Sequence, residues 1–150
     1  MPDNHIDLLV KRLSPDAVLP QYATPGSAGM DLHACINEPV VIEPGQRVKV
    51  PTGLAIALPG PDHAAFLFPR SGLGVGWGVT LPNCVGVVDS DYRGEVIVGL
   101  VNLSEEPYTV QPGDRIAQMV ILPVTHAKLR MVSELPQTQR GSGGFGSTGK

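Results

Sequence analysis

The sequence is poor in cysteine, aromatic residues and long apolar runs, and each shortage excludes a class of protein. Only 2 of the 150 residues are cysteine and 5% are aromatic. Cys35 and Cys84 are too few for a disulfide framework and lie in no zinc-ligand spacing, and the four histidines form no HxxxH pair. No run approaches the roughly 18 apolar residues of a membrane-spanning helix. We therefore expect neither a disulfide-stapled domain nor a structural zinc site nor a membrane partner.

Clustered positive charge is also missing. The formal net charge is -3, and the basic residues form no dense group. Because binding to duplex nucleic acid needs many phosphate contacts, no such partner is expected. Met1 is followed by polar residues rather than by a basic stretch and an apolar segment. The sequence predicts a soluble cytoplasmic protein, for which a small phosphorylated ligand remains possible.

Glycine and proline, in contrast, are abundant, at 18 and 15 residues. Prolines recur throughout the chain and exclude long helices. The apolar and alternating stretches between them predict short strands: around 6–10, 47–50, 54–58, 64–68, 84–88, 96–102 and 116–122. A chain of this length with such spacing predicts one all-β domain, a sandwich or a barrel.

One turn pattern occurs twice, in the segments 42–47 and 110–115. Each contains Pro-Gly followed by one polar residue and an arginine. Proline at the second position and glycine at the third predict a type II turn, because glycine accepts the positive φ required there. Two matching turns are consistent with the paired hairpins of a jelly-roll-like fold. The alternative is a coincidence between two common turns.

A glycine-rich segment follows Arg70 and Ser71. Only residues 71–77 could form a helical turn, and the alternating glycines up to Gly78 restrict it. A guanidinium, a hydroxyl and backbone N–H groups in such a segment could cradle a phosphate. A surface loop with a solvated arginine is the competing interpretation.

The stretch 83–95 combines turn residues with chemically useful side chains. Apolar residues lead into a turn built from Asp89, Ser90, Asp91 and Gly94, and a new strand begins at Val96. This pattern predicts a β-hairpin that displays carboxylates and an aromatic ring. Turn chemistry alone would also account for its polar residues.

The tail 140–150 matches both GxGxxG and GxxxxGK, and we expect both matches to be false. Each motif needs a preceding strand and a following helix that receives the phosphate, whereas this sequence stops. The composition predicts a flexible arm. Its single Phe145 favours an arm that orders over a ligand, with a passive tail as the alternative.

Five segments in this order resemble the trimeric deoxyuridine triphosphate nucleotidohydrolases, the dUTPases, over nearly the whole chain. They read Ala28-Gly-Met-Asp-Leu32, Pro69-Arg-Ser-Gly-Leu-Gly74, Gly86-Val-Val-Asp-Ser-Asp-Tyr-Arg-Gly94, Pro112-Gly-Asp-Arg-Ile-Ala-Gln-Met119 and Arg140-Gly-Ser-Gly-Gly-Phe-Gly-Ser-Thr148.

The resemblance implies a fold and a reaction. The expected protomer is an all-β, jelly-roll-like barrel of the β-clip type over residues 1–136, with at most one short helical turn. Residues 137–150 are the expected arm, and the expected assembly is a homotrimer with active sites between subunits. The implied reaction is Mg²⁺-dependent hydrolysis of dUTP to dUMP and pyrophosphate, which limits uracil in DNA and supplies dUMP for thymidylate synthesis. The Mg²⁺ is expected on the substrate triphosphate and water, with no direct protein ligand.

The resemblance also assigns roles to residues. Asp89 would activate the water that attacks the α-phosphorus, since an ionised carboxylate can orient water and accept its proton. Tyr92 would pack on the deoxyribose and exclude a 2′-hydroxyl. The remaining substrate contacts fall into three groups: for uracil, Asn83 with the backbone of Val87, Val88 and Ile97; for the phosphates, Arg70, Ser71, Gly72 and Gln118; and from the arm, Arg140, Phe145, Gly146, Ser147 and Thr148. Asp31 would support the site through metal-bound water or by fixing a basic side chain.

The chain departs from the family pattern in the segment 74–78, where Trp77 could fill a gap in the core or between subunits. Two alternative functions compete with the dUTPase interpretation. The dCTP deaminases resemble the dUTPases in fold but carry an Arg-Ser-Ser motif and a glutamate base, whereas this chain has Arg70-Ser71-Gly72 and Asp89. A non-catalytic dUTP-binding regulatory homologue would be expected to lack the arm or Asp89, and both are present.

Overall fold

The computed structural model describes residues 5–145 and is all-β, as the sequence predicts. It contains eleven strands and one helix in this stretch. The strands are β1 (Leu9–Arg12), β2 (Gln21–Tyr22), β3 (Met30–His33), β4 (Val40–Ile42), β5 (Arg47–Ala57), β6 (His63–Phe68), β7 (Val79–Thr80), β8 (Gly86–Val88), β9 (Glu95–Asn102), β10 (Tyr108–Val110) and β11 (Arg115–Pro123), and the helix is α1 (Ser71–Trp77). None of the helical residues between 5 and 145 forms a segment long and apolar enough to cross a bilayer.

The strands form three antiparallel sheets around one core. A four-stranded sheet has the order β1-β5-β9-β7, a five-stranded sheet has the order β2-β3-β11-β6-β8, and β4 pairs with β10. Alternate residues of the long strands point inward, so that Val96, Val98 and Leu100 of β9 are 2%, 0% and 0% exposed. They belong to the same core cluster as Leu32, Leu67 and Met119 of the other large sheet. This jelly-roll-like arrangement was expected from the resemblance.

The repeated Pro-Gly turns occupy equivalent places. Gly45 and Gly113 have φ of 76° and 83°, as the third position of a type II turn requires. The first turn joins β4 to β5 and the second joins β10 to β11, and β4 pairs with β10. The two turns are therefore matching features of the fold rather than a coincidence.

Strand β5 is longer than predicted. The sequence indicated two strands, 47–50 and 54–58, separated by Pro51, Thr52 and Gly53. The structure has one strand of eleven residues whose pairing with β9 shifts between Pro51 and Ala55. The apparent interruption is thus a β-bulge, where one strand carries extra residues relative to its partner.

Helix α1 fills the predicted segment but has seven residues, about two turns rather than one. Leu73 anchors it in the core, and Gly78 ends it at φ 69° with its N–H bonded to the Leu73 carbonyl. The Trp77 ring packs at a centroid distance of 5.9 Å on Tyr108 and remains 63% exposed. Trp77 therefore does not fill a core gap of this protomer.

The prediction that residues 83–95 form a β-hairpin with paired arms is wrong. Strand β8 pairs with β6 and strand β9 pairs with β5 and β7, so the two arms belong to different sheets. The intervening loop is held by its own bonds, from Tyr92 N–H to the Asp89 carbonyl at 3.1 Å and from Arg93 Nη1 to the Ser90 carbonyl at 2.8 Å. The turn chemistry was interpreted correctly, but the loop crosses from one sheet to the other and leaves a cleft between its arms.

Candidate active site

A cleft of about 250 Å³ lies between β8 and β9, and it collects the residues of segment 83–95. Its lining comprises Leu67, Leu81, Asn83, Gly86, Val87, Val88, Asp89, Tyr92, Glu95, Val96, Ile97 and Gly99. Outside the arm, every residue that the sequence analysis assigned to water activation, sugar or base is in this set.

Within residues 5–145, the walls of the cleft are two strand edges that carry no partner strand. Strand β8 is the outer strand of its sheet, and β9 pairs with β7 only at Val101 and Asn102. The backbone groups of Val87 and of the segment around Ile97 therefore border the cleft from opposite sides, and both side chains are exposed, at 61% and 45%. Such edges present alternating N–H and C=O groups to whatever enters. The Asn83 side chain adds an amide donor and acceptor.

The Tyr92 ring folds back over its own loop. Its hydroxyl donates to the Glu95 carbonyl at 2.9 Å. A Cβ at Gly94 would lie 2.6 Å from the ring carbon that bears the hydroxyl, so only glycine leaves room for this position. The ring remains 44% exposed and lines the cleft as a fixed apolar surface.

Asp89 lies where β8 ends and the loop begins. Its backbone carbonyl accepts the Tyr92 N–H, whereas no hydrogen bond or ion pair to its carboxylate is found among residues 5–145. The side chain is exposed at the cleft. A carboxylate in this position can bind and orient a water molecule.

A second pocket, which we call the basin, has a volume of about 450 Å³ and a polar lining. It is lined by Ala23, Ser27, Ala28, Gly29, Asp31, Arg70, Ser71, Gly72 and Gln118. Strands β3 and β11 supply Asp31 and Gln118, which face each other in register, and the end of β6 leads into Arg70 and the start of α1. The basin therefore collects the predicted phosphate contacts and shares no lining residue with the cleft.

Asp31 holds two arginines, of which Arg70 lines the basin and Arg115 does not. Its Oδ1 accepts a hydrogen bond from Arg70 Nε at 2.9 Å, and its Oδ2 accepts one from Arg115 Nη1 at 3.2 Å. The Asp31 side chain is 15% exposed, that of Arg70 25% and that of Arg115 52%. The carboxylate offsets one of the two positive charges, so the group keeps a net positive charge that suits an anionic ligand.

Gln118 is fixed at the edge of the basin. Its Nε2 donates to the Pro69 carbonyl at 3.0 Å. A Cβ at Gly29 would approach Gln118 Oε1 to 2.7 Å, so glycine is required for this side chain to lie where it does. This close approach explains why the residue before Met30 and Asp31 is glycine.

His33 lies on β3 beside this charge network and opposite Arg115. Burial lowers the pKa of His33 below 6.5, and Arg115 and Arg70 lower it further against the opposing effect of Asp31. Its Nδ1 is buried without a hydrogen-bond partner in the part of the chain described. The neutral imidazole is therefore favoured, and it adds no charge to the basin.

The described part of the arm lines neither pocket of its own chain. Arg140 and Phe145 are exposed, and among residues up to 145 none beyond Gly99 lines the cleft and none beyond Gln118 lines the basin. Gly146, Ser147 and Thr148 lie outside the described residues. Strand β11 is the last strand before position 145, and the segment 124–145 contains large exposed apolar side chains, with Leu129 at 94%, Met131 at 98% and Leu135 at 82%.

Sequence reasoning missed the roles of Arg115, Glu95 and the glycines at 29 and 94. Arg115 could have been noticed as the arginine that ends the second Pro-Gly repeat. Nothing in the sequence shows that it meets Asp31, because that contact depends on the register of β3 with β11. Glu95 gave no sequence signal beyond its position at the start of a strand.

Comparison with known proteins shows the family to which the chain belongs. The family model for dUTPase matches residues 16–149. The deoxyuridine 5′-triphosphate nucleotidohydrolase of Neisseria meningitidis serogroup A is 58% identical over 132 residues, 88% of each chain, and that of Idiomarina loihiensis is 50% identical over 145 residues, 97% of this chain and 96% of the relative. The structure of Staphylococcus bacteriophage 80alpha dUTPase with dUPNHPP superimposes with a TM-score of 0.87 at 27% identity, covering 96% of this chain and 99% of the phage protein. The chain belongs to the dUTPase family of dUTP-hydrolysing enzymes.

Proposed function

We propose that the cleft and the basin are the two halves of a dUTP-hydrolysing site, in which Asp89 activates the water that attacks the α-phosphorus to give dUMP and pyrophosphate. The single observation that carries this proposal is that the two pockets present different chemical groups. The cleft offers strand edges, an amide, a ring and a free carboxylate, and the basin offers Arg70, which is held by Asp31 together with Arg115 outside the lining. A nucleoside triphosphate needs both kinds of surface.

Uracil is read in the cleft by groups that hydrogen-bond its edge. The Asn83 amide and the open edges beside Val87, Val88 and Ile97 provide donors and acceptors for O4 and N3–H. Cytosine has the opposite polarity at these atoms and would leave polar groups unpaired, which a hydrogen-bonding site rejects strongly. The methyl group of thymine would crowd a cleft of this size.

Deoxyribose is selected by shape at Tyr92. The ring is held against Gly94 and leaves no freedom to retreat from an added 2′-hydroxyl. UTP is therefore excluded by crowding rather than by a missing hydrogen bond.

The triphosphate is held in the basin by Arg70, Ser71, Gly72 and Gln118. Phosphoryl transfer depends mostly on positioning and on neutralising charge, so fixed cations account for much of the catalysis. We propose that Asp31 acts by fixing Arg70 and Arg115, because both of its oxygens accept hydrogen bonds from these arginines. The sequence left two roles open for Asp31, and its contacts with Arg70 and Arg115 support the role of fixing a basic side chain.

Magnesium is proposed to enter on the triphosphate. Between residues 5 and 145 no group of three or more His, Cys, Asp or Glu side chains could hold a metal ion. Phosphate oxygens and water suit Mg²⁺, which loses its waters reluctantly. When bound, the ion would neutralise part of the charge of the triphosphate, while the protein provides the arginines and orients the water.

The two pockets share no lining residue, and residues 137–145 of the same chain line neither. We propose a homotrimer in which the cleft of one subunit faces the basin of a second, with residues 137–150 of a third closing the site as an arm beyond the barrel domain 1–136. In that arm Arg140, Ser147 and Thr148 would contact the terminal phosphates, and Phe145 with Gly146 would cover the base. The exposed apolar side chains at 129, 131 and 135 are consistent with a segment that leaves its own barrel.

In the cytoplasm this enzyme would limit uracil in DNA and supply dUMP for thymidylate synthesis.

The proposal is tested by incubating the purified chain with dUTP and Mg²⁺ and measuring pyrophosphate. Asp89→Asn keeps the size of the side chain and removes the carboxylate that acts as the general base. Turnover is therefore expected to fall by about 100-fold or more, the range of general-base catalysis. Asp91→Asn in the same loop is the matched control and is expected to retain most activity. Undiminished turnover by Asp89→Asn would overturn the assignment, as would strong hydrolysis of dCTP or UTP by the wild type.

A further inference from the structure

Glu95 links the Tyr92 loop to the bulge of β5 through a hydrogen bond that no substrate contact requires. Its Oε1 accepts the Gly53 N–H at 2.8 Å. Gly53 lies within the register shift between Pro51 and Ala55, where the ladder with β9 is interrupted. A bulge leaves backbone groups without their ladder partners. The carboxylate at the start of β9 supplies the missing acceptor.

The bulge itself is a firm anchor. Gly53 has φ 67°, and a Cβ there would approach Cys35 Sγ to 2.8 Å and the Ala17 Cβ to 2.9 Å. Its carbonyl accepts the Leu13 N–H at 2.7 Å. Because Gly53 is packed and bonded on both sides, the Glu95 side chain is attached to the rigid part of the barrel.

The backbone of the same residue holds the ring that lines the cleft. The Tyr92 hydroxyl donates to the Glu95 carbonyl at 2.9 Å, and the ring lies against Gly94. Glu95 is therefore bonded to the barrel through its side chain and to Tyr92 through its carbonyl. The chain of contacts runs from Gly53 through Glu95 to Tyr92.

We propose that Glu95 is a positioning residue for sugar selection, and that it sets the Tyr92 ring at the distance that admits deoxyribose and rejects ribose. This inference rests on the proposed function, in which Tyr92 checks the sugar. Without the bond to Gly53 the first residue of β9 is held only by its ladder pairing with Ala55, so its carbonyl can shift more easily and the Tyr92 ring gains room to move away from a 2′-hydroxyl. The ladder pairing of Glu95 with Ala55 does not use the side chain, so the fold survives its removal.

The experiment compares kcat/KM for dUTP and for UTP in Glu95→Ala, Glu95→Gln, Tyr92→Phe and the double variant Glu95→Ala/Tyr92→Phe. Loss of one hydrogen bond corresponds to a factor of about three to ten, and we expect the dUTP:UTP ratio of Glu95→Ala to fall by that factor, chiefly through a better KM for UTP. Glu95→Gln keeps an acceptor oxygen for Gly53 N–H and should restore the ratio. Tyr92→Phe removes the other end of the same link, so the double variant should fall no further than either single one. Glu105→Ala, which removes an exposed acid away from both pockets, is the matched control for the loss of charge.

An unchanged dUTP:UTP ratio in Glu95→Ala would overturn the proposal, as would a ratio in Glu95→Gln as low as that of Glu95→Ala. A multiplicative loss in the double variant would also overturn it, since the two residues would then act independently. Failure of the proposed function is recognised separately, because the wild type would then not turn over dUTP. The link can be measured without turnover by ¹⁹F spectra of fluorotyrosine-labelled protein, in which the Tyr92 signal is identified among the three tyrosine signals by its loss in Tyr92→Phe. The Tyr92 signal should move toward that of an exposed tyrosine in Glu95→Ala and not in Glu95→Gln, and an unmoved signal in Glu95→Ala would refute the positioning.

Discussion

Replacing Asp31 by asparagine tests how the basin holds its charge. The substitution keeps one carbonyl oxygen, removes the negative charge and turns an amide N–H₂ toward an arginine, so at least one of the bonds to Arg70 and Arg115 is lost. The bond to Arg70 joins two side chains that are 25% and 15% exposed, and a charge-assisted bond of this kind contributes about 1.5–3 kcal/mol. The Arg115 side chain is 52% exposed, so its bond contributes about 0–1 kcal/mol after screening by solvent.

The corresponding loss in dUTP turnover is about 2 kcal/mol, a decrease in kcat/KM of roughly 30-fold. Pyrophosphate release is measured for the wild type and Asp31→Asn over a range of Mg²⁺ concentrations, with Asp16→Asn as an exposed acid outside both pockets. If Asp31 acts through the arginines, raising Mg²⁺ leaves the defect unchanged. Recovery of activity at high Mg²⁺ would show that Asp31 acts through metal-bound water, and a kcat/KM within about twofold of the wild type would refute both roles.

Three further predictions concern stability. Asn102 is fully buried and makes four hydrogen bonds: its Nδ2 donates to the Ile42 and Glu106 carbonyls, and its Oδ1 accepts from the Ser104 N–H and hydroxyl. Asn102→Ala should therefore lower the free energy of unfolding by about 3–5 kcal/mol in urea titrations. A loss under about 1 kcal/mol would show that water replaces these bonds. The folded-state pKa of His33 lies below the unfolded value of 6.5, so the unfolded chain binds the proton more tightly and stability falls as pH drops through and below 6.5. His33→Gln should flatten this acid-side loss in melting curves, whereas substitution of the exposed His126 should not. Exposed Cys84 adopts φ 63°, so Cys84→Gly should raise the free energy of unfolding by about 0.5–1 kcal/mol while Cys84→Ala does not, and an equal effect of both would contradict strain as the cause.

Much of the fold was predictable because local chemistry and global structure agree. The prolines exclude long helices, the apolar runs became β5, β6, β9 and β11, and the two Pro-Gly turns have the positive φ that glycine permits. Strands β2, β3, β4, β7 and β10, of two to four residues each, were not predicted. Strands such as β2 and β7 have two residues each, too few to show a periodicity, and they exist because a neighbouring strand pairs with them.

The candidate site was predictable in its residues and not in its geometry. Asn83, Asp89 and Tyr92 do gather in one cleft, and Arg70, Ser71 and Gln118 gather in one basin. The separation of β8 from β9 was missed because turn residues reveal that a chain reverses and do not reveal which sheet it joins afterwards. The Asp31–Arg115 contact and the Glu95–Gly53 contact were missed because each depends on strand register across residues far apart in sequence.

Coexpression of two inactive variants tests most directly whether the active site is built from the cleft of one subunit and the basin of another. Asp89→Asn damages only the cleft and Arg70→Ala damages only the basin, so a mixed assembly contains sites in which an intact cleft meets an intact basin. For random mixing in equal amounts in a cyclic trimer, pyrophosphate release per subunit should reach about one quarter of the wild-type value, although each variant alone is inactive. Activity of the mixed assembly no higher than that of the separate variants would contradict the shared site and would place the cleft and the basin of one site on a single chain.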